Sequence, residues 1–166
     1  MPFSATNAPG AIVALNGKPR SSIAMPQWLT NPVILLSVGG AAGTNARYWL
    51  GVLVNEWLTK DLPEGRDPPH FPLATFLINV TGSLILGAAA ALFLFRPEPE
   101  RKAWYLILGI GFCGGYTTFS TFALETFDLF RKGQTAWALA YVAASVIGAV
   151  LAVAAAAMVM ERITAE

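Results

Sequence analysis

Residues 111–122 read Gly-Phe-Cys-Gly-Gly-Tyr-Thr-Thr-Phe-Ser-Thr-Phe, and this stretch decides which fold the chain can adopt. It lies in the middle of an apolar segment that spans about residues 103–130. Paired glycines followed by threonine, serine and phenylalanine are poor helix formers, so the stretch predicts an interruption in a helix. In lipid, an interruption is tolerated only where it is buried in protein or lines a cavity. The alternative is an unbroken helix whose hydroxyls bond back to the i−4 carbonyls.

Three further apolar segments accompany it, at about residues 32–53, 71–95 and 135–160. Each has about the 20 residues that a helix needs to cross a hydrocarbon core of about 30 Å. Hydrophobic residues make up 55% of the chain and charged residues only 13%, whereas a soluble domain carries about 25% charged residues. The sequence therefore predicts an all-α integral membrane protein with four transmembrane helices, the third of them broken. Residues 1–31 are expected to form a mostly irregular N-terminal extension, and residues 32–166 the four-helix domain.

Charged residues give little information about the orientation of these helices. With four crossings, the chain places four Lys and Arg residues near the helix ends on each side. One side has Arg96, Arg101, Lys102 and Arg162, and the other has Lys60, Arg66, Arg131 and Lys132. Because the positive-inside rule depends on an asymmetry, this balance leaves two interpretations open. Either a few charges orient the protein weakly, or copies insert both ways and pair antiparallel.

Several classes of function are disfavoured by the composition. The net charge of +1 offers no electrostatic footprint for nucleic acid. The chain has one cysteine, Cys113, so neither an intrachain disulfide nor a cysteine metal cluster can form. Its one histidine, His70, follows a proline pair in a loop. Since no nucleophile–base pair is evident within the apolar segments, we do not expect an enzyme.

Polar residues recur at a spacing of four in the second segment, at Thr75, Asn79 and Ser83, with Gly87 next. This spacing predicts that they share one helix face. Asn79 falls near the middle of the span, and its amide has two N–H donors that can replace water around a small anion. The alternative is a structural interhelical hydrogen bond, worth about 1 kcal/mol.

The third segment offers the densest set of candidates. Hydroxyl donors are present on Thr117, Thr118, Ser120 and Thr121, and a helix break would free carbonyls that can bind a cation. Phe119 and Phe122 are three apart and share a face. They either pack as apolar residues or turn their electropositive ring edges toward an anion.

Candidates on the other segments are fewer. Glu125 follows Thr121 by four, so it can hydrogen-bond hydroxyls on the same face. Arg47, in the first segment, either snorkels to the interface or biases a vestibule toward anions. Tyr141 and Ser145 share a face of the fourth segment, where they extend a polar track or bond a neighbouring helix.

Three of these segments together resemble the CrcB/Fluc family of fluoride channels. Residues 39–48, Gly-Gly-Ala-Ala-Gly-Thr-Asn-Ala-Arg-Tyr, are similar to its first-helix motif, and residues 75–83, Thr-Phe-Leu-Ile-Asn-Val-Thr-Gly-Ser, to its second-helix motif. Residues 111–122 followed by Glu125 resemble its most specific signature. The resemblance covers about residues 33–160 and omits the N-terminal extension.

The resemblance implies an antiparallel, dual-topology homodimer with two separate pores. It implies fluoride-path roles for Asn79, Phe119, Phe122, Ser120, Thr121, Glu125, Tyr141 and Ser145. Arg47 is added to this path through its vestibule interpretation, which comes from its position in the first segment and not from the resemblance. The two rings would come together across the dimer axis. The backbone carbonyls of Gly114 and Thr117, two from each copy, would hold a structural sodium ion. Ala149 stands where some members carry serine, which weakens the fourth-helix part of the match.

The implied function is passive efflux of toxic fluoride across the cell's inner membrane, with fluoride, lipid and a second copy of the chain as partners. Two alternatives stay open at this point. A small multidrug exporter needs a carboxylate in its first helix, where this chain has Arg47 and, within residues 32–53, no acidic residue. A non-transporting scaffold would use every polar residue as a structural contact.

Overall fold

The computed structural model describes residues 31–63, 70–95 and 99–165. Within these ranges the chain is helical and has no β-strand. The α-helices are α1 (Pro32–Thr59), α2 (Leu73–Ala89), α3 (Pro99–Trp104), α4 (Cys113–Tyr116), α5 (Phe119–Arg131) and α6 (Thr135–Ile163). Two π-helical segments are continuous with them, π1 (Ala90–Leu94) after α2 and π2 (Tyr105–Phe112) between α3 and α4. Apart from Asn31, the predicted extension at residues 1–31 lies outside the described residues.

Three helical segments are long and apolar enough to cross a membrane: Leu73–Leu94, Arg101–Arg131 and Thr135–Ile163. They correspond to the second, third and fourth predicted segments. Helix α1 has the length, 28 residues, but Asn45 and Arg47 lower its hydropathy. It also continues to Thr59, six residues beyond the predicted end, and therefore includes the exposed Glu56. The third segment likewise begins at Pro99, earlier than predicted.

Glycines let α1 cross the third segment with backbone against backbone. A Cβ added to Gly43 would overlap the Phe112 carbonyl and lie 2.8 Å from the Tyr116 nitrogen. A Cβ on Gly39 would lie 3.0 Å from the Phe112 nitrogen. Small residues allow this close approach of transmembrane helices, and here it brings the polar residues of α1 to the interruption in the third segment.

The third segment is broken at Thr117 and Thr118, as its sequence predicts. Thr117 ends α4 with φ −79° and ψ 160°, and Thr118 precedes α5 with φ −148° and ψ 115°. Both residues are extended, so the alternative of an unbroken helix is wrong. The Thr118 hydroxyl accepts a hydrogen bond from the Thr121 amide at 3.2 Å and so caps the helix that restarts.

Packing below the break fixes α5 against α6. Tyr141 is completely buried and forms a core with Ala138 and Leu129. Partly buried aromatic rings surround this core, among them Phe71 and Phe122. The Phe71 ring packs edge-on against Tyr141, with 5.4 Å between the ring centroids, and the Phe122 ring packs tilted against it at 5.1 Å. The core therefore holds the restarted helix at a defined position relative to α6.

Candidate functional site

Asn79 holds the backbone of the break through two hydrogen bonds. Its Oδ1 accepts from the Thr118 amide at 2.8 Å, and its Nδ2 donates to the Thr118 carbonyl at 3.2 Å. The structural role left open by the sequence is thus present. An amide NH2 has two donors, however, so one N–H of Asn79 is not used by the Thr118 carbonyl.

Helix α1 supplies donors to the carbonyls that the break exposes. The last four carbonyls of a helix have no intrahelical partner. The Thr44 hydroxyl donates to the Gly115 carbonyl at 3.4 Å, and Arg47 Nη1 donates to the Thr117 carbonyl at 3.3 Å. Arg47 therefore contacts the backbone of the break.

A first cavity of about 540 Å³ lies between α2, π2, α5 and α6. Its polar lining comes from Asn79, Ser83, Thr117, Thr118 and Ser145, and its aromatic lining from Tyr105, Phe119 and Phe122. Phe119 is 80% exposed, and its ring centroid lies 5.7 Å from that of Phe122. The cavity thus combines hydrogen-bond donors with two adjacent ring systems, and one of those rings has little cover from its own chain.

Ser145 is the most unusual polar group in this cavity. The residue is only 6% exposed, and its Oγ has no hydrogen-bond partner among the described residues. Leaving a buried hydroxyl unsatisfied costs about 1–3 kcal/mol. Ser145 belongs to the cavity lining although its Oγ is itself buried, so a ligand in the cavity can become its partner once the side chain rotates.

A second cavity of about 460 Å³ lies between α1, the start of α2 and α5. Its lining includes Arg47, Thr75, Thr121 and Glu125. Both carboxylate oxygens of Glu125 accept hydrogen bonds, one from the Thr75 hydroxyl at 2.8 Å and one from the Tyr141 hydroxyl at 2.7 Å. A cation and a carboxylate therefore line the same space, and hydroxyl donors hold the carboxylate in place.

The hydroxyls after the break form a short chain. Thr118 Oγ1 donates to Thr121 Oγ1 at 2.9 Å and lies 3.3 Å from Ser120 Oγ. Thr121 and Ser120 are both exposed. Gly87 packs against the α6 backbone, where an added Cβ would lie 2.9 Å from Val153 Cα.

The carbonyls expected to bind sodium are accessible in different degrees. A continuous helix would direct the Thr118 amide to the Gly114 carbonyl, but Asn79 takes that donor. Gly114 is exposed, and a Cβ there would meet nothing within 4 Å. The Thr117 carbonyl accepts from Arg47, which leaves it one lone pair. Oxygen donors suit hard cations, and the carbonyls of Gly114 and Thr117 have this donor chemistry.

Thr118 was only one of four candidate hydroxyl residues in the third segment, yet it is bound at the break through its amide, its carbonyl and its hydroxyl. A threonine that directly precedes a restarting helix is the signal that identifies it, because Thr is a preferred N-cap residue. Tyr105 lines the first cavity from π2. Nothing in the residue pattern predicted that contribution, because a wide π-turn changes which side chains face inward.

The described residues contain three membrane-length apolar helical segments and an interrupted helix between polar-lined cavities, which are features of a multi-pass membrane protein. A family model for "CrcB-like protein, Camphor Resistance (CrcB)" matches residues 34–157. The chain belongs to this family, which confirms the resemblance seen in its motifs.

Relatives in this family are named "Fluoride-specific ion channel FluC". The protein from Nitrobacter winogradskyi is 44% identical over 116 residues, which cover 69% of this chain and 83% of the relative. The protein from Methylobacterium radiotolerans is 48% identical over 122 residues, covering 73% and 78%. The protein from Caulobacter vibrioides is 35% identical over 135 residues, covering 81% and 99%. Similarity therefore extends over nearly the whole length of some relatives.

Proposed function

We propose that this protein is a fluoride-selective ion channel that lets cytoplasmic fluoride leave the cell down its gradient. The observation that carries the proposal is the family match at residues 34–157, which includes every described residue that lines the two cavities. The relatives named above are fluoride-specific ion channels. A multidrug exporter and a scaffold are not favoured, since neither agrees with those relatives.

Fluoride is small and strongly hydrated, so an apolar bilayer excludes it through a large desolvation cost. A pathway lowers this cost by replacing water with donors. In the first cavity the donors are the second N–H of Asn79 and, after rotation of its side chain, the buried Ser145 hydroxyl, which has no partner among the described residues. The edges of Phe119 and Phe122 add weak attraction, and weak successive sites are what conduction requires.

The second cavity continues the proposed path on the other side of the break. Arg47 attracts an anion there, and the Thr121 hydroxyl provides a further donor. Ser120 lies outside this lining and would act through its contact with the Thr118 hydroxyl. Glu125 would repel an anion, but its two oxygens already accept hydrogen bonds from Thr75 and Tyr141. We infer that Glu125 orders these hydroxyls and that Tyr141 acts through it.

An antiparallel homodimer with dual topology accounts for several features of the single chain. Phe119 is 80% exposed beside a cavity, as expected if a second copy covers it. Lys and Arg are balanced between the two sides, so both orientations insert equally well. We propose that α1 also crosses the membrane, in addition to the three segments found above, and that its apolar exposed face contacts lipid. The membrane would be the inner membrane of the cell.

The dimer axis is also where we propose a structural sodium ion. The carbonyls of Gly114 and Thr117 from two copies would supply four hard oxygen donors. A bound cation would supply fixed positive charge and so lower the cost of an anion nearby. No group of three or more His, Cys, Asp or Glu side chains in the described ranges offers a competing metal site.

Fluoride efflux from liposomes that contain the purified protein, followed with a fluoride-selective electrode, tests the proposal. We expect fast fluoride loss without chloride loss. Phe122→Ile should slow the loss because it removes the ring edge. Asn79→Asp should slow it further because it adds a carboxylate to the path. Fluoride retention by vesicles that contain folded wild-type protein would refute the channel.

A further inference from the structure

The two cavities approach each other at a single residue. Of the described residues that line them, Thr118 is the one that belongs to both linings. It is 8% exposed and lies at the break, between α4 and α5. Thr118 is therefore the described residue at which the two linings meet.

Thr118 is held more firmly than a helix cap requires. Asn79 binds both its amide and its carbonyl, at 2.8 Å and 3.2 Å. Its hydroxyl accepts from the Thr121 amide at 3.2 Å and donates to Thr121 Oγ1 at 2.9 Å. Capping needs only the first of these two hydroxyl contacts, and Ser, Asp or Asn would provide it equally well. The additional contacts fix the side chain between the cavities.

The hydroxyl pair extends from this shared wall into the second cavity, whose lining includes Thr121. A threonine hydroxyl can rotate its proton among acceptors while its oxygen stays in place. An anion in either cavity can thus accept the hydrogen bond that the Thr118 hydroxyl otherwise donates to Thr121 Oγ1. The side chain would present a donor to both spaces in turn.

We propose that Thr118 is the partition between the two cavities and determines both the rate and the size of the anion that passes. This inference rests on the proposed fluoride conduction. The Thr118 hydroxyl transfers the anion from the Asn79 side to the Thr121 side, and its methyl group limits the width of the passage. Thr118 is therefore a specificity-determining residue, in addition to its role as the cap of α5.

Three substitutions in liposome efflux experiments separate the partition from the cap. Thr118→Ser keeps the hydroxyl and the cap but removes a methyl group, so fluoride flux should be at least that of the wild type and chloride leak should increase. Thr118→Asn keeps a capping group but fills the passage. Thr118→Val keeps the volume but removes the donor. We expect flux to fall in both of the last two, and in Thr118→Val by about tenfold or more, the equivalent of one hydrogen bond to an anion.

Asn31 provides the matched control for loss of a cap. Its side chain accepts from the Val33 amide at 2.9 Å at the start of α1, and it lines neither cavity. Asn31→Ala should leave fluoride flux unchanged. All variants are compared as folded protein of the same oligomeric state, with thermal stability measured in detergent.

The outcomes distinguish the partition from the function on which it rests. If the wild type passes fluoride and folded Thr118→Asn passes it equally fast, Thr118 is only a cap and the proposal is overturned. If the wild type itself passes no fluoride, the proposed function fails, and the partition fails with it. Normal flux in Thr118→Val would also overturn the role of the hydroxyl.

Discussion

Removal of the Ser145 hydroxyl should change stability and flux in opposite directions. Ser145 is 6% exposed and belongs to the lining of the first cavity. Its Oγ is buried and has no hydrogen-bond partner among the described residues. A buried hydroxyl that only filled space would be a pure cost to the fold. We expect that the protein keeps this serine, despite the cost to stability, because its hydroxyl donates a hydrogen bond to fluoride as the ion passes.

The sizes of both effects follow from the hydrogen-bonding capacity of this one hydroxyl. Ser145→Ala should raise the free energy of unfolding by about 1–3 kcal/mol, the cost of an unsatisfied buried polar group. A hydrogen bond to a charged group contributes about 1.5–3 kcal/mol, and about 1.4 kcal/mol corresponds to a factor of ten. If the bond forms at the highest barrier, fluoride flux should fall about 10- to 100-fold.

Unfolding by titration with a denaturing detergent and fluoride efflux from liposomes measure the two quantities on one protein preparation. Ser37→Ala is the matched control, because Ser37 is exposed on α1 and lines neither cavity. It should change neither quantity. A Ser145→Ala variant that gains stability but conducts like the wild type would show that the hydroxyl has no part in conduction and would refute the reasoning.

Two further substitutions test the fold and the second cavity. Gly43→Ala should destabilise the protein by about 1–3 kcal/mol, because its methyl group would overlap the Phe112 carbonyl. Gly51→Ala is the control, since a Cβ there has nothing within 4 Å and should not destabilise the protein. Equal stability of the two variants in detergent unfolding would contradict the close helix crossing. Tyr141→Phe removes a 2.7 Å hydrogen bond to Glu125 and should lower the free energy of unfolding by about 1–3 kcal/mol and slow fluoride efflux. Wild-type values for both quantities would exclude an ordering role for this tyrosine.

The sequence predicted the helical class, the apolar segments and the position of the break, because each depends on local composition. Gly114, Gly115 and the hydroxyls that follow disfavour a helix wherever they occur. The exact ends of the helices were less accurate, since α1 continues to Thr59 through residues that are polar enough to suggest a loop. Helix ends depend on which neighbours cover them.

The site was predicted as a set of residues but not as an arrangement. The spacing that groups Thr75, Asn79 and Ser83 does not show that Asn79 binds the Thr118 backbone or that Thr75 binds Glu125. Such pairings join residues 39 and 50 positions apart, and only tertiary packing brings them together. The same holds for Arg47, which reaches the Thr117 carbonyl because glycines let α1 pack closely against the third segment.

The most direct test of the central claim is the reversal potential of wild-type current in a planar bilayer with unequal fluoride concentrations on the two sides and chloride as the other anion. Our account predicts a current that fluoride carries almost alone, so the reversal potential should follow the fluoride gradient and stay unchanged when chloride is varied. A current that follows chloride or the cation, or the absence of any current from folded protein, would contradict it.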